Sequence, residues 1–328
     1  MRLLAWPVAV LLVAVSAVLS LAVGTRAVPP ATVLDALLHG GHSPDALVVR
    51  SLRLPRTEIG LTAGAALGLS GAALQAVTRN PLADPGILGL SQGAAAGVVL
   101  AISLGFAHGF GGYVWYAFVG AVAAACLVYA IATRGRGGAS PVKLALAGTA
   151  LSAMTAGATT VVLTSSSATL DQFRFWQVGA LSGRDADTVV RMLPFLAMGA
   201  VLVLACARGL DALALGDETA RALGHRVHAV RGCAALGATL LTAAAVAAAG
   251  PIAFVGLAVP HLARRAGRGA GARVVLPLSA LLGAALLVCA DVVGRVVRAP
   301  AEVPAGVMTA LVGVPVLVVL VRRKAAAS

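Results

Sequence analysis

Asp291 and Arg295 stand four residues apart in LPLSALLGAALLVCADVVGR, a run that is otherwise almost wholly apolar. On a helix that spacing places a carboxylate and a guanidinium on one face, where they can pair. Ionisable groups inside an apolar run mark a functional path or an internal salt bridge that orients the arginine. The sequence leaves both readings open. Gln75, polar within another apolar run, is expected to face protein or a water-lined path. Acid–base chemistry would need paired carboxylates within these runs, and there are none. The chain holds no GxxxxGKS/T loop for nucleotide phosphates, and no HExxH or CxxC motif. His39 and His42 in HGGH have loose metal spacing without further ligands nearby and read as a polar loop tip. Cys126, Cys206, Cys233 and Cys289 fall singly in or beside apolar runs and read as small buried hydrophobes. An enzyme is a poor reading of this chain, and no cofactor or metal site is expected on it.

Charge is concentrated elsewhere. RGLDALALGDETARALGHRVHAVR, from Arg208 to Arg231, holds Arg208, Asp211, Asp217, Glu218, Arg221, Arg226 and Arg231, with His225 and His228 at its basic end. Leu213, Leu215, Ala220, Leu223 and Val227 recur at roughly helical spacing between the charges, which predicts a short amphipathic helix. Asp217 and Glu218 lie early in it and Arg226 late, as the helix dipole favours. The chemistry on offer is recognition: a helix shown to a soluble partner, or a plain surface connection.

The elements that position these groups are membrane helices. The 328 residues are 59% hydrophobic and 11% charged, where a soluble domain carries about 25% charged residues. Apolar runs fall at about 3–24, 57–77, 86–104, 113–133, 142–165, 189–207, 232–250, 252–261, 274–294 and 305–321. They lack the period-2 alternation of a β-barrel. The first run could pass for a signal peptide, but it is long enough to span and is read as an uncleaved helix. The eighth is short and bounded by Pro251 and Pro260.

Ten spans put both termini on one side. With the N-terminus inside, sixteen of the 25 basic residues fall inside, which supports an N-in, C-in orientation. The net charge of +13 is therefore read as topology signals and lipid or partner contacts, not as nucleic-acid binding. The Arg208–Arg231 stretch is placed in the cytoplasm. Arg53, Arg56, Arg295 and Arg298 are placed outside, as a basic rim or as helix caps.

Gly64, Gly68 and Gly71 in the second span and Gly89, Gly93 and Gly97 in the third are spaced for close backbone approach, and the two spans are expected to pack together. RNPLADPG between them is a cytoplasmic turn. Phe173, Phe175 and Trp176 predict a short helix at the outer interface. The fold class is all-α: a polytopic membrane protein of about ten Gly/Ala-rich helices.

Several motifs now stand in one order: RLPR at 53–56, SGAALQAVTRNPLADPGILGLSQGA from Ser70, LGDETARALG from Leu215, GPIAFVGLAVPHLARRAGR from Gly250, then LPLSALLGAALLVCADVVGR and EVPAGVMTALVGVPV. This order resembles the FecCD-type permeases, membrane subunits of bacterial ABC importers for ferric siderophores, haem and cobalamin. The resemblance runs from about residue 45 to the C-terminus. It implies a single transmembrane permease domain over 1–328 in the plasma (inner) membrane and a dimer with a second protomer, the same chain or a related one. It also implies two cytoplasmic ATPase subunits that carry ATP and Mg, and an extracytoplasmic binding protein. The resemblance further implies a path between protomers lined mainly by the fifth and tenth helices. LGDETARALG matches the family's coupling helix, about 215–224, so Leu215, Gly216, Glu218, Ala220, Leu223 and Gly224 are expected to meet the ATPase. Arg53, Arg56 and Arg295 match arginines that meet acidic residues of the binding protein. Ser140 and Pro141 fall in the inner gate region. A ferric siderophore is the expected cargo, with haem or cobalamin as alternatives. An ion-coupled secondary transporter, the rival class, would need acids near mid-membrane, and Asp291 is the one candidate.

Overall fold

The computed structural model describes every residue except 1, 25–27, 42, 107–108, 135–140, 185–186 and 326–328. Among the described residues all regular structure is helical. In chain order the helices are α1 (Arg2–Ala22), α2 (Pro30–Leu38), α3 (Pro44–Leu47), α4 (Leu54–Thr78), α5 (Leu90–Ser103), α6 (Gly109–Thr133), α7 (Pro141–Ser165) and α8 (Ser167–Gln177). They continue as α9 (Asp187–Ala205), α10 (Ala207–Ala214), α11 (Asp217–Ala222), α12 (Val227–Ala249), α13 (Val255–Ala266), α14 (Ala272–Val297) and α15 (Ala305–Ala325). A π-helical turn, Val48–Arg53, joins α3 to α4, and a 3-10 turn, Pro85–Leu88, precedes α5.

Seven of these are long and apolar enough to cross a membrane: α1, the continuous Pro44–Thr78 segment that contains α4, α6, α7, α9, α12 and α14. α5, α13 and α15 lie at the other three expected segments. Burial separates an axis from a shell. The apolar stretches of α4 and α12 are 78% and 72% buried, against 22% in α1, α7 and α9. At about 1.5 Å per residue α4 is roughly 37 Å long, enough to cross a hydrocarbon core of about 30 Å.

The glycines set how closely the axis packs, but with partners other than those expected. Gly64 and Gly68 of α4 face α14, where a Cβ on Gly68 would lie 2.2 Å from Ser279 O and one on Gly64 2.4 Å from Gly283 O. Gly71 faces Gly256 of α13. Gly93 and Gly97 of α5 instead meet Gly120 and Tyr116 of α6. Small-residue spacing specifies that a helix has a close neighbour; it does not say which one.

Gln75 faces protein. Its Nε2 donates to Gly256 O at 3.3 Å and Leu257 O at 3.2 Å, and its Oε1 accepts from Arg264. The reason lies in α13. Pro260 has no N–H to give the carbonyl four residues earlier, which is Gly256 O, and Gln75 supplies the donor.

The short helix expected around Phe173–Trp176 forms as α8, with its aromatic residues divided between core and surface. Ser166 caps it, and Phe173 and Trp176, stacked 5.8 Å apart, are fully buried while Phe175 is exposed. The loop that follows runs against α15, with Gly306 N donating to Gly179 O at 2.9 Å. The cysteines depart from expectation: Cys126 and Cys233 are exposed on helix surfaces, Cys206 and Cys289 partly so.

Candidate functional site: two charge clusters at opposite ends of α4

At one end of the bundle the Arg208–Arg231 stretch forms α10, α11 and the start of α12, not one helix. Gly216 (φ 112°) and Gly224 (φ 81°) break it, conformations that glycine holds without a Cβ clash. Asp217 and Glu218 fall in the first turn of α11 and Arg221 in its last. Ala220 is fully buried, while Leu215 and Leu223 are 66% and 59% exposed. Glu218 and Gly224 are also exposed. The expected coupling residues thus divide into one inward anchor, Ala220, and apolar knobs on the surface.

Asp217 is the most connected acid at this end. Arg231 of α12 donates to it in fork geometry, Nη1 to Oδ2 at 2.9 Å and Nη2 to Oδ1 at 2.8 Å. Arg79, which ends α4 in the left-handed region at φ 50°, pairs with the same carboxylate. Asp211 of α10 accepts from Ala272 N and caps α14.

The RNPLADPG turn lies beside this cluster. Asn80 Oδ1 accepts from Leu82 N at 2.9 Å and Asp84 Oδ1 from Gly86 N at 2.8 Å. Burial holds the Asp84 carboxyl above the usual carboxylate range, and the Gly86 N–H opposes that shift. A mostly apolar cavity of about 670 Å³ opens next to it, walled by α4, α6, α7 and α12, with Thr78, Asn80, Asp84 and Tyr129 among its polar lining.

At the opposite end of α4, Arg53, Arg56 and Arg295 take a form different from a free basic rim. All three are buried. Arg56 donates through Nε and Nη2 to Asp291 and through Nη1 to Glu302 at 2.7 Å. Arg295 donates to Asp291 at 2.6 and 3.0 Å, to Ser20 Oγ at 2.6 Å, and to the Ser20 and Val23 carbonyls. Arg53 donates to Leu21 O at 2.7 Å. The pairing of Asp291 with Arg295 follows their spacing. The parts played by Ser20 in α1 and Glu302 before α15 do not, because a lone hydroxyl or acid in a distant segment carries no pairing signal. Glu302, a third exposed along its side chain, connects the cluster to solvent. Arg298 is exposed.

Of the gate residues, Ser140 lies outside the described residues and Pro141 is the first residue of α7. His42 also lies outside them, while His39 pairs with Asp35 at 3.0 Å on an exposed surface.

Residues 11–323 match the sequence model of the FecCD transport family. The chain is 43% identical over 324 residues to the ferric enterobactin transport system permease protein FepD of Escherichia coli (strain K12), covering 98% of this chain and 96% of that one. It is 41% identical over 276 residues to the cobalamin import system permease protein BtuC of Halobacterium salinarum, covering 84% and 73%. Among solved structures, a metal-chelate type ABC transporter in an inward-facing conformation superposes with a TM-score of 0.84 at 29% identity, covering 98% of this chain and 100% of that one.

Proposed function

This chain belongs to the FecCD transport family, and we propose that it is the permease subunit of an ABC importer that carries a metal chelate, a ferric siderophore foremost, into the cytoplasm. It is a multi-pass protein of the bacterial inner membrane. The observation that carries the reading is the pair of clusters on α4, one with exposed apolar knobs on a short helix and one with buried arginines.

In this reading ATP and Mg are bound and hydrolysed on a separate chain, which docks on Leu215, Glu218 and Leu223 around α11, with Gly216 and Gly224 as its flanks and Ala220 as its root. That end faces the cytoplasm, which agrees with the excess of basic residues there. Two permease protomers and two ATPase subunits make the membrane complex. An extracytoplasmic binding protein meets the other end. There Arg56 is the group best placed to receive an incoming carboxylate, because Glu302 already reaches it from the solvent side. Arg53 and Arg295 shape the bed in which Arg56 lies. Ser140 and Pro141 remain the proposed gate.

Reconstitution tests this directly. The permease, co-expressed with its ATPase and placed in proteoliposomes, should accumulate ferric enterobactin or ferric citrate when ATP and the loaded binding protein are supplied. Accumulation of cyanocobalamin in place of both iron chelates would move the cargo to the alternative represented by the Halobacterium salinarum relative. Uptake driven by an ion gradient without ATP would overturn the reading.

A further inference from the structure

Asp217 stands outside the docking set, and its surroundings give it a separate task. α11 is joined to its neighbours through Gly216 and Gly224. A Cβ on Gly224 would meet nothing within 4 Å, and one on Gly216 only Thr219 Oγ1 at 3.9 Å. Both junctions rest on glycine backbone without side-chain restraint, which passes a push less well than continuous helix. α11 packs on α10 and α12, and the Asp217 carboxylate joins it to a third element, the end of α4, through Arg79.

Arg79 carries a second, independent sign of that link. Helices that close in the left-handed region usually do so with glycine. α4 closes there with an arginine whose backbone N–H bonds Ala76 O and whose side chain reaches Asp217. A residue with a Cβ accepts the less favourable backbone region, and its side chain ends on the coupling segment. Arg231 completes the arrangement from α12 and fixes the carboxylate by a two-point fork, a geometry that limits rotation as well as separation. α4 then runs, largely buried, along α14 to the Arg56–Asp291 cluster at its far end.

We propose that Asp217 is the positioning residue that fastens the coupling helix to α4 through Arg79, so that displacement of α11 is delivered to a helix that runs from the inner to the outer charge cluster. This rests on the reading of α11 as the ATPase contact. Arg231 sets the orientation of the carboxylate; Arg79 carries the displacement.

The test uses the complete importer in proteoliposomes, with ATP hydrolysis and uptake of ferric enterobactin, or of ferric citrate if that is what the wild type accumulates, measured side by side. Asp217→Asn should keep the ATPase bound and hydrolysing while chelate moved per ATP falls by at least about tenfold, within the usual span of coupling between sites. Asp217→Glu should restore most of that ratio. Arg79→Gln should reproduce the loss, and the double variant should be no worse than either single one, as expected for partners in one interaction. A residue that only braces the fold would lower yield, hydrolysis and uptake together and leave the ratio unchanged. An unchanged ratio in Asp217→Asn, or a ratio lost there but kept in Arg79→Gln, overturns the proposal. If Asp217→Asn fails to assemble, Arg79→Gln, at a half-exposed side chain, decides alone. Retention of coupling by Leu223→Asp would instead remove α11 as the contact, a different failure from either of these.

Discussion

Arg56 and Asp291 join the first turn of α4 to the outer part of α14, with Nη2 2.8 Å from Oδ1 and Nε 2.9 Å from Oδ2. The same carboxylate receives Arg295, so one buried acid serves two buried guanidinium groups, and Glu302 brings the second negative charge to Arg56. Buried charge is tolerated only when it is paired and its remaining donors are bonded. Arg295 meets that condition with Ser20 and Val23 of the α1 end. The cluster therefore holds α1, α4, α14 and the approach to α15 in one bond network.

Asp291→Asn keeps the shape of the side chain and removes the charge on which both arginines depend. Stability is expected to fall by about 3–5 kcal/mol, the usual cost of breaking a buried pair from one side. Glu302→Gln, at a partly exposed acid, should cost clearly less. Thermal melting of the detergent-purified permease compares the two, and equal melting temperatures would show that the cluster is not the brace described.

Gly68→Ala and Gly157→Ala make a second comparison. The added methyl at Gly68 would sit 2.2 Å from Ser279 O, so α4 and α14 must separate; at Gly157 it meets nothing within 4 Å. Overpacking at Gly68 should cost about 1–3 kcal/mol. Gly157→Ala should be neutral or gain up to about 1 kcal/mol from the helix preference of alanine. Melting temperatures that move together would mean that the α4–α14 seam yields easily.

Asp84 gives a pH dependence with a defined sign. Its folded pKa is raised by burial, so the neutral form is favoured in the native protein. The stability this contributes is full below the ordinary carboxylate range of about pH 4 and declines as pH rises through the raised folded value. Asp84→Asn keeps an oxygen for Gly86 N and carries no charge at any pH. The variant should therefore melt higher than wild type at neutral pH, with the gap closing on acidification. A gap that widens towards low pH would mean that the carboxylate, not the acid, is the stabilising form.

The sequence was most legible where a pattern repeats within one segment. Apolar runs located the membrane-crossing helices, seven of which are long and apolar enough to span among the described residues, and the four-residue spacing of Asp291 and Arg295 gave their pair. It was least legible where the partner lies far along the chain. Nothing near Gly64 points to Gly283, nothing near Arg295 points to Ser20, and nothing near Gln75 points to the carbonyl that Pro260 leaves unpaired. The two glycines that split the 208–231 stretch were visible, but helical spacing alone spanned them. Motif order carried the family, while the burial of its arginines is a tertiary fact: whether a guanidinium points out or in depends on partners supplied by distant segments.

Leu223→Asp tests the contact on which the transport reading turns. Leu223 is 59% exposed and follows the last turn of α11, with Leu215 presented before the first. An exposed leucine is ordinary by itself; two that flank a short charged helix, at the end opposite the Arg56–Asp291 cluster, form a knob-and-charge surface suited to a groove on a soluble partner. Placing a carboxylate there leaves the fold nearly untouched, because surface substitutions away from buried contacts usually lie within about 0.5 kcal/mol. In a desolvated interface the same carboxylate is costly. The melting temperature of the isolated permease should thus be unchanged while ATPase recovered by co-purification falls, with ATP-driven uptake falling in step. Full recovery of the ATPase with normal uptake would place the contact elsewhere on the cytoplasmic face.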